Sequence, residues 1–339
     1  MADKTEIAWC DSTFNPWIGC AKVGPGCDNC YAEADFDHRK HRVKWGAGQE
    51  RSRTSAANWK KPLQWNRADF RECGDCGWRG EIDTLVDDSC PSCGRHQRLE
   101  PARRRVFCAS LADVFDNEVP VEWRRNLFEL IKNTSNLDWL LLTKRIGNAA
   151  RMIEEAISEL DIGYDPDYAM WPWPNVWLGA TVVNQEEADR DIPKLLATPA
   201  ALRWVSAEPL LGPVAIREYL EWRNTVAGTN TVTNERSLSW VIVGGESGPN
   251  ARPMHPGWAR SLRDQCAAAG VPFLFKQWGE YLPAEEGEPP RYFRDAFGRV
   301  PEIWPKDMPG VHTLFRVGKK RAGRMLDGLL HNDYPGGAS

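Results

Sequence analysis

Three cysteines near the start of the chain are spaced so that one metal centre could bind all of them. Cys20, Cys27 and Cys30 follow the pattern C-x6-C-x2-C, with a Gly-Pro-Gly sequence between the first two. Glycine and proline turn the backbone sharply and leave little side-chain bulk. A closed zinc site takes four protein ligands, whereas a centre with three keeps one coordination position for a reacting molecule. The pattern therefore predicts a reactive metal centre.

Two other interpretations of this loop stay open. Zinc would need a fourth ligand, which Cys10 or His38 could supply. A catalytic thiol would need a histidine base, but no histidine stands nearby in a suggestive pattern, and two cysteines would be unexplained. A [4Fe–4S] cluster with one open iron uses all three cysteines and could pass an electron to a small bound ligand.

A second cluster has the spacing of a closed metal site. Cys73, Cys76, Cys90 and Cys93 form two C-x2-C pairs separated by thirteen residues, and glycines follow each pair. Four thiolates suit tetrahedral Zn²⁺, and a four-cysteine iron site is the main competitor. The flanks contain several arginines and a tryptophan. This zinc-ribbon-like insertion is expected either to contact nucleic acid or a partner protein, or to be a stapled insert with a solvated surface.

The rest of the chain alternates short apolar runs with amphipathic segments. The runs are continuous, as expected for parallel strands buried on both faces: 13–18, 105–110, 138–143, 176–182, 203–207, 239–244 and 272–275. Segments with helical periodicity lie between them, at 121–133, 147–160 and 258–269. Strand and helix repeated about six times predict an α/β fold with a parallel (β/α) barrel or partial barrel, and a doubly wound open sheet is the alternative.

Polar residues follow each predicted strand, at the end where such barrels carry their chemistry. In chain order they are the cysteine loop, Asp113 and Asp116, Lys144 and Arg145, Thr181 and Asn184, Glu208, the sequence Gly244-Gly245-Glu246-Ser247-Gly248, and Lys276 and Gln277. Solvated loops explain any one of these residues. The GGESG sequence is less easily explained by solvation alone.

Composition narrows the class of protein. The chain has 339 residues, of which 42% are hydrophobic and 27% charged, and its net charge of −4 gives no global attraction to nucleic acid or anionic membrane. No apolar run approaches the roughly 18 residues that span a bilayer, and the first residues do not resemble a signal peptide. Ten cysteines in such a chain indicate metal binding in a reducing compartment, so we expect a cytoplasmic protein.

We expect four regions along the chain. Residues 1–70 would carry the first strand, the cluster loop and the following helix, 71–102 the insertion, 103–282 the remaining barrel, and 283–339 a C-terminal extension. Surface loops are predicted at 224–237 and 285–290, and a short helix at 325–330 after a basic stretch. Most of the 17 tryptophans should be core residues, while Trp17, Trp177 and Trp204, near strand ends, could exclude water and oxygen.

A three-cysteine loop after the first strand of an α/β barrel, followed by Tyr31, resembles the radical S-adenosylmethionine enzymes. Their usual spacing is C-x3-C-x2-C, and this chain keeps the C-x2-C half with six residues in place of three. The segments TFNPWIGC, WLLLTKR, WLGATV, SAEPLLGP, WVIVGGESG and FKQWGE together resemble a phage-associated family of uncharacterised three-cysteine-motif proteins. That family is itself similar to radical S-adenosylmethionine proteins, and the insertion is not part of its core pattern.

The resemblance implies cofactors and roles for particular residues. Cys20, Cys27 and Cys30 would bind three irons of a [4Fe–4S] cluster, and S-adenosylmethionine would chelate the fourth. The residues implied to line this cofactor are Gly244, Gly245, Glu246, Ser247 and Thr181. The implied catalytic residues are Lys144, Glu208 and Lys276. Lys144 and Arg145 could pair with a substrate anion or with the cofactor carboxylate, and the alternative is a strand-end ion pair such as Lys144 with Glu208.

The expected activity is cleavage of S-adenosylmethionine to a 5′-deoxyadenosyl radical, which abstracts hydrogen from a substrate, with a nucleic acid or nucleotide weakly favoured. The expected partners are nucleic acid at the insertion, an electron donor of the reductase or flavodoxin type, and a partner protein, but no membrane. One rival is a zinc-bound nucleic-acid-binding or partner-binding protein with both cysteine clusters structural. Another is a nucleotide hydrolase that uses Asp113, Asp116, Glu208 and Glu246.

Overall fold

The fold is described from a computed structural model of the chain. The described residues are 3–82, 88–160, 170–220, 237–284, 302–303 and 314–336. The predicted loops at 224–237 and 285–290 lie outside them, apart from Ser237.

The described residues form short strands and helices that alternate along most of the chain. The strands are β1 Ser12–Phe14, β2 Trp17–Ile18, β3 Ser52–Arg53, β4 Phe70–Cys73, β5 Arg79–Glu81, β6 Leu99–Pro101, β7 Arg104–Cys108, β8 Leu137–Thr143, β9 Val176–Thr181, β10 Leu202–Ala207, β11 Trp240–Gly244, β12 Phe273–Gln277, β13 Tyr281–Pro283, β14 Glu302–Ile303, β15 Leu314–Arg316, β16 Met325–Leu326 and β17 Leu329–Leu330. The α-helices are α1 Tyr31–Glu33, α2 Ala56–Trp59, α3 Lys61–Trp65, α4 Val121–Lys132, α5 Ile146–Ile157, α6 Gln185–Ala197, α7 Arg217–Leu220, α8 Pro256–Ala269 and α9 Lys319–Ala322.

Seven of the strands form one sheet in the order β1-β7-β8-β9-β10-β11-β12. The register pairs Thr13 with Phe107 and Val205 with Val241, and the paired strands run parallel. Neighbours in this sheet follow one another along the chain, apart from the short strands between β1 and β7. A doubly wound sheet reverses its order at a switch point, so this order is that of a partial (β/α) barrel. Six of the seven predicted runs are confirmed as strands of this sheet, and the first run overlaps it only at β1.

The chain divides into two compact units. One contains residues 1–21, 35–178 and 199–201, and the other contains 22–34, 179–198 and 202–339. In the first unit, the buried side chains of α4 and α5 include Leu127, Ile131 and Met152. Phe14 of β1 meets Trp139 of β8 edge-on, with ring centroids 5.6 Å apart.

The second unit contains the strands from β10 to β12 and the helices α6 and α8. The rings of Trp204 and Trp240 pack 5.6 Å apart on neighbouring strands. A Cβ atom on Gly179 would lie 2.4 Å from the Trp204 ring, so this position of β9 accommodates only glycine without rearrangement. Helix α8 ends at Gly270, whose φ of 67° is a left-handed conformation that glycine adopts easily.

Three details differ from the sequence-based expectations. The predicted first strand divides into β1 and β2 at Asn15-Pro16, and β2 pairs antiparallel with β3. Helix α6 was not predicted, because charged residues and Pro193 interrupt its pattern. The predicted helix at 325–330 is wrong: β16 and β17 form a hairpin, because Asp327 and Gly328 both take positive φ, as a tight Asp-Gly turn requires.

Candidate metal centres

The insertion is a three-stranded antiparallel sheet that brings its four cysteines together. Strand β4 pairs with both β5 and β6, and the thiols of Cys73, Cys76, Cys90 and Cys93 all lie within 4.8 Å of one another. The Sγ atoms of Cys73 and Cys93 are 3.8 Å apart, and those of Cys76 and Cys90 are 3.6 Å apart. Ligands at about 2.3 Å from a tetrahedral zinc ion lie about 3.8 Å from each other. These four thiols could therefore hold a metal ion.

Both C-x2-C pairs have the same backbone turn. The N–H of Gly77 donates to the carbonyl of Cys73 at 2.9 Å, and that of Gly94 donates to the carbonyl of Cys90 at 2.8 Å. Both glycines have a φ near 70°, which explains their place after each pair. Burial opposes ionisation of Cys90, but backbone N–H groups, including that of Ser92 at 3.4 Å from its sulfur, lower the pKa of its thiol to about 7. A metal ligand must lose its proton, which this environment favours at Cys90. At Cys93 the backbone N–H of Arg95 lowers the pKa, but burial and the neighbouring thiols raise it to about 11.

One arginine attaches the insertion to the start of the parallel strands. Arg79 of β5 donates to both carboxylate oxygens of Asp11, just before β1, and to the carbonyl of Arg103, just before β7. The guanidinium also lies over the Phe70 ring, 5.5 Å from its centroid. Nearby Asp138, at the start of β8, is buried, and this burial raises the pKa of its carboxyl to about 6 despite neighbouring arginines.

The arginines of the insertion are balanced by carboxylates. Residues 71–102 contain four arginines and no lysine, but seven acidic residues. Arg71 pairs with Asp69, and Asp75 pairs with both Arg95 and Arg98. The expected nucleic-acid contact of the insertion stays a prediction, and this charge balance weighs against it.

The first half of the cysteine loop is fixed in the first unit. The N–H of Gly19 donates to the carbonyl of Leu111, which continues the pairing of β1 with β7. Cys20 then lies beside Arg145, which follows β8: Nη1 is 3.3 Å from Cys20 Sγ, and Nη2 donates to the carbonyl of Ala21 at 2.7 Å. Burial, together with Asp113 and Asp116, raises the pKa of the Cys20 thiol to about 12, and Arg145 opposes this shift.

Two carboxylates after β7 hold this arrangement in place. Asp113 accepts from the hydroxyl of Thr143 at 2.8 Å and from the backbone N–H of Lys144 at 3.0 Å, and it also faces Arg145. Asp116 pairs with Arg51 at 2.8 Å, and both side chains are almost completely buried. The two carboxylates therefore have structural partners on the strand ends of this unit.

The second half of the cysteine loop is fixed in the second unit by Arg252. Its guanidinium donates to the carbonyl of Pro25 at 2.8 Å, to Asp28 at 2.9 Å and to Glu246 at 2.8 Å. Glu246, just after β11, also accepts from the side-chain amide of Asn29 at 3.0 Å. Burial would raise the pKa of Glu246, but the hydrogen bonds from Arg252 and Asn29 lower it below its ordinary value. Glu246 thus anchors the loop.

Cys27 and Cys30 lie in two short turns of the loop. The N–H of Cys27 donates to the carbonyl of Gly24 at 2.9 Å, and the carbonyl of Cys30 accepts from Ala34 at 3.0 Å as α1 begins. A Cβ atom on Gly24 would lie 2.5 Å from the carboxylate of Glu187 in α6, so the loop backbone approaches this helix closely. Both cysteines are half-buried.

The predicted catalytic residues Glu208 and Lys276 form an ion pair. Lys276 Nζ lies 2.9 Å from Glu208 Oε1, and the Ser206 hydroxyl donates to Oε2 at 3.0 Å. A Cβ atom on Gly244 would lie 2.6 Å from Glu208 Oε1, so the carboxylate fills the space beside this glycine. Glu208 therefore has Lys276 as its ion-pair partner, whereas the sequence-based alternative named Lys144. Lys144 is half-buried, and its backbone N–H donates to Asp113.

The other residues expected to line a cofactor have different environments. A Cβ atom on Gly245 would lie 2.0 Å from the carbonyl oxygen of Trp278, so this glycine allows two backbone segments to touch. Ser247 is half-buried. Thr181 is 2% exposed, and its Oγ1 has no hydrogen-bond partner in the described part of the chain. Gly179 and Thr181 point to the same face of β9, the face that meets Trp204.

Sequence reasoning missed Arg252, Arg51 and Glu187. Arg252 and Glu187 contact the cysteine loop from outside any motif, and Arg51 pairs with a residue 65 positions away. A signal existed only for Arg252, since it follows the GGESG sequence by four residues.

The sheet order and the four-cysteine cluster define an α/β protein of the partial-barrel class whose insertion carries four cysteines that could hold a metal ion. The chain belongs to the family described as "protein of unknown function (DUF5131)", whose model matches residues 4–335. No curated protein and no solved structure matches the chain. Among the described residues, no helix is both long enough and apolar enough to cross a membrane.

Proposed function

We propose that this protein is a radical S-adenosylmethionine-type enzyme in which Cys20, Cys27 and Cys30 ligate a [4Fe–4S] cluster. The observation that carries the proposal is the attachment of the cysteine loop. Arg145, after β8, holds Cys20 in one unit, and Glu246 and Arg252, after β11, hold residues 25–29 in the other. Each half of the loop is thus fixed at the carboxyl ends of parallel strands, where barrels of this class carry their chemistry.

The residues of the second unit offer a partial fit to S-adenosylmethionine. The buried hydroxyl of Thr181 lacks a partner, and a buried polar group in that state costs about 1–3 kcal/mol unless a ligand satisfies it. Gly244, Gly245 and Glu246 have structural contacts of their own, so their role toward the cofactor stays a prediction. The support for this cofactor therefore comes chiefly from Thr181 and the cysteines.

The three cysteines would hold the cluster, and its chemistry would be the one-electron reduction that cleaves S-adenosylmethionine to methionine and a 5′-deoxyadenosyl radical. The chain's own residues hold the Cys20 sulfur beside Arg145 and hold the loop on either side of Cys27 through Arg252. Trp204 is fully buried and packs on Trp240 in the first half of its strand, so the exclusion of water expected of it stays a prediction. The electron would come from a low-potential donor of the reductase or flavodoxin type.

Anaerobic reconstitution with iron and sulfide tests the proposal. We expect an absorbance band near about 400 nm, typical of cysteine-ligated clusters, and release of 5′-deoxyadenosine after addition of dithionite and S-adenosylmethionine. The Cys27→Ala variant should lose both signals. Cys266→Ala, which changes a buried cysteine in α8 outside both clusters, should keep them. An unchanged band in Cys27→Ala would contradict the proposal.

A second candidate is supported by the insertion, because its four thiols have the geometry of a closed structural site. If both cysteine clusters are structural, the protein is a zinc-binding module for nucleic acid or a partner protein. Metal analysis separates the two candidates. About four irons and one zinc per chain support the enzyme, whereas about two zincs and no iron support the binding module.

A nucleotide hydrolase has less support. Each of its four candidate carboxylates already has a cationic partner. The pairs are Asp113 with Arg145, Asp116 with Arg51, Glu208 with Lys276, and Glu246 with Arg252. A general base needs a pKa near the working pH. The pKa of Glu246 is instead lowered by its contacts with Arg252, which makes it a poor base. Turnover in air without a reductant would nevertheless favour the hydrolase.

A further inference from the structure

Arg145 places a charged hydrogen-bond donor against a cysteine sulfur in a buried position. Its Nη1 is 3.3 Å from Cys20 Sγ, and its side chain is only 8% exposed. A guanidinium carries no acceptor and does not lose its proton in proteins. Both an N–H group and a positive charge therefore face the sulfur under all ordinary conditions.

The orientation of this guanidinium is determined by its other contacts. Nη2 donates to the carbonyl of Ala21 at 2.7 Å, and Nη1 lies 3.3 Å from the carboxylate of Asp113. Asp113 is itself held by the hydroxyl of Thr143 and the N–H of Lys144. Because these partners already engage Arg145, the expectation that it pairs with a substrate anion has less support than a role toward Cys20.

We propose that Arg145 is a positioning residue that fixes the Cys20 sulfur and raises the reduction potential of the cluster that Cys20 ligates. This role rests on the proposed function. Hydrogen bonds to ligand sulfurs are among the factors that set the potentials of iron–sulfur clusters. A donor with a positive charge stabilises the more negative, reduced cluster, so its removal makes the potential more negative.

The test compares three variants of the full-length protein after anaerobic reconstitution. Arg145→Met removes the donor and the charge, and Arg145→Lys keeps the charge without the forked geometry. Arg124→Met is the matched control. Arg124 is 2% exposed and donates to the carbonyls of Val114 and Asp116, so it supports the same strand-end loop.

The readout is the midpoint potential from a redox titration followed by electron paramagnetic resonance. For Arg145→Met we expect the reduced-to-oxidised ratio at a fixed potential to fall about tenfold, equivalent to about 59 mV for one electron. Arg145→Lys should lie between this variant and the unchanged protein, and Arg124→Met should match the unchanged protein. Equal potentials in Arg145→Met and the unchanged protein would overturn the inference.

A second measurement separates this inference from the proposed function. If the loop binds zinc instead of a cluster, Arg145 still holds the ligand Cys20, and loss of such an outer contact typically weakens metal binding 10–100-fold. Competition with a chelator would then show weaker zinc binding in Arg145→Met than in Arg124→Met. That result would support the positioning of Cys20 by Arg145 and contradict the proposed enzyme. Equal zinc affinities in the two variants would overturn the role of Arg145.

Discussion

At the scale of single residues, Asp138 is a buried carboxyl with a raised pKa at the start of β8. Its side chain is 13% exposed, and Arg103 lies 3.7 Å away. Arg79, Arg105 and Asp11 also act on it. Because burial outweighs the arginines, its pKa in the folded protein is about 6, against an ordinary value of 3.8. The folded state therefore takes up a proton between these values, and stability falls as the pH rises through this window.

We expect Asp138→Asn to remove this pH dependence. The variant should have a higher free energy of unfolding than the unchanged protein. This difference should be about 1 kcal/mol larger at pH 7 than at pH 5, because one pKa unit corresponds to about 1.4 kcal/mol. Urea denaturation at the two pH values measures it. Glu159→Gln, which changes an exposed carboxylate paired with Arg125, should show no such difference. A gain that does not depend on pH would contradict the shifted pKa.

At the scale of elements, the parallel strands were predictable and the pairing of long side chains was not. Strands such as β11, in which all five residues are buried, show a continuous apolar run that the sequence displays directly. The Arg145–Cys20 contact joins residues 125 positions apart, and the contact of Arg252 with Asp28 joins residues 224 positions apart. No local pattern records such pairs, because they depend on which strand ends become neighbours.

The contact between β9 and β10 makes a prediction about the sheet. A Cβ atom on Gly179 would overlap the Trp204 ring, so Gly179→Ala should destabilise the protein by about 1–3 kcal/mol, as overpacking of a core typically does. Gly212→Ala is the control, because its nearest neighbour would be 3.4 Å away. Urea denaturation should show a clear loss in the first variant alone, and similar losses in both would argue against the packing described here.

The insertion makes a separate prediction. Cys76→Ser should lose the metal of the four-cysteine site, which elemental analysis of zinc would show as a fall of about one ion per chain. Metal binding provides much of the folding energy of such small sites, so protease cleavage within residues 71–101 should accelerate. Cys266→Ala should retain the zinc. Full zinc content in Cys76→Ser would mean that these thiols do not form the site.

At the scale of the whole molecule, charge limits the partners. The net charge of −4 and the acidic excess within 71–102 leave little attraction for phosphate backbones. The sequence motifs could predict that the four cysteines of the insertion come together and that a parallel sheet forms. The arginines of the insertion alone could not show how much positive charge it exposes. The structure shows that Asp75, Asp69 and Asp11 form ion pairs with these arginines.

We therefore expect weak, salt-sensitive binding of nucleic acid by the whole protein. The Kd for a short duplex or single strand should be weaker than about 10 μM at about 150 mM salt, as for non-specific binding. Fluorescence anisotropy over a salt series measures it, with a variant that lacks residues 71–101 as the comparison. Tight binding that is lost in this variant would instead support the insertion as a nucleic-acid contact.

The chain enters and leaves the insertion at neighbouring residues. The N–H of Ala102 donates to the carbonyl of Phe70 at 3.0 Å, so the chain leaves the insertion where it entered. Because the ends already meet, excising the intervening segment would leave only a short gap for a turn to close, at little entropic cost. A deletion that joins Phe70 to Ala102 would therefore need only a short turn, and its main structural cost would be the loss of the Arg79 contacts with Asp11 and with the carbonyl of Arg103.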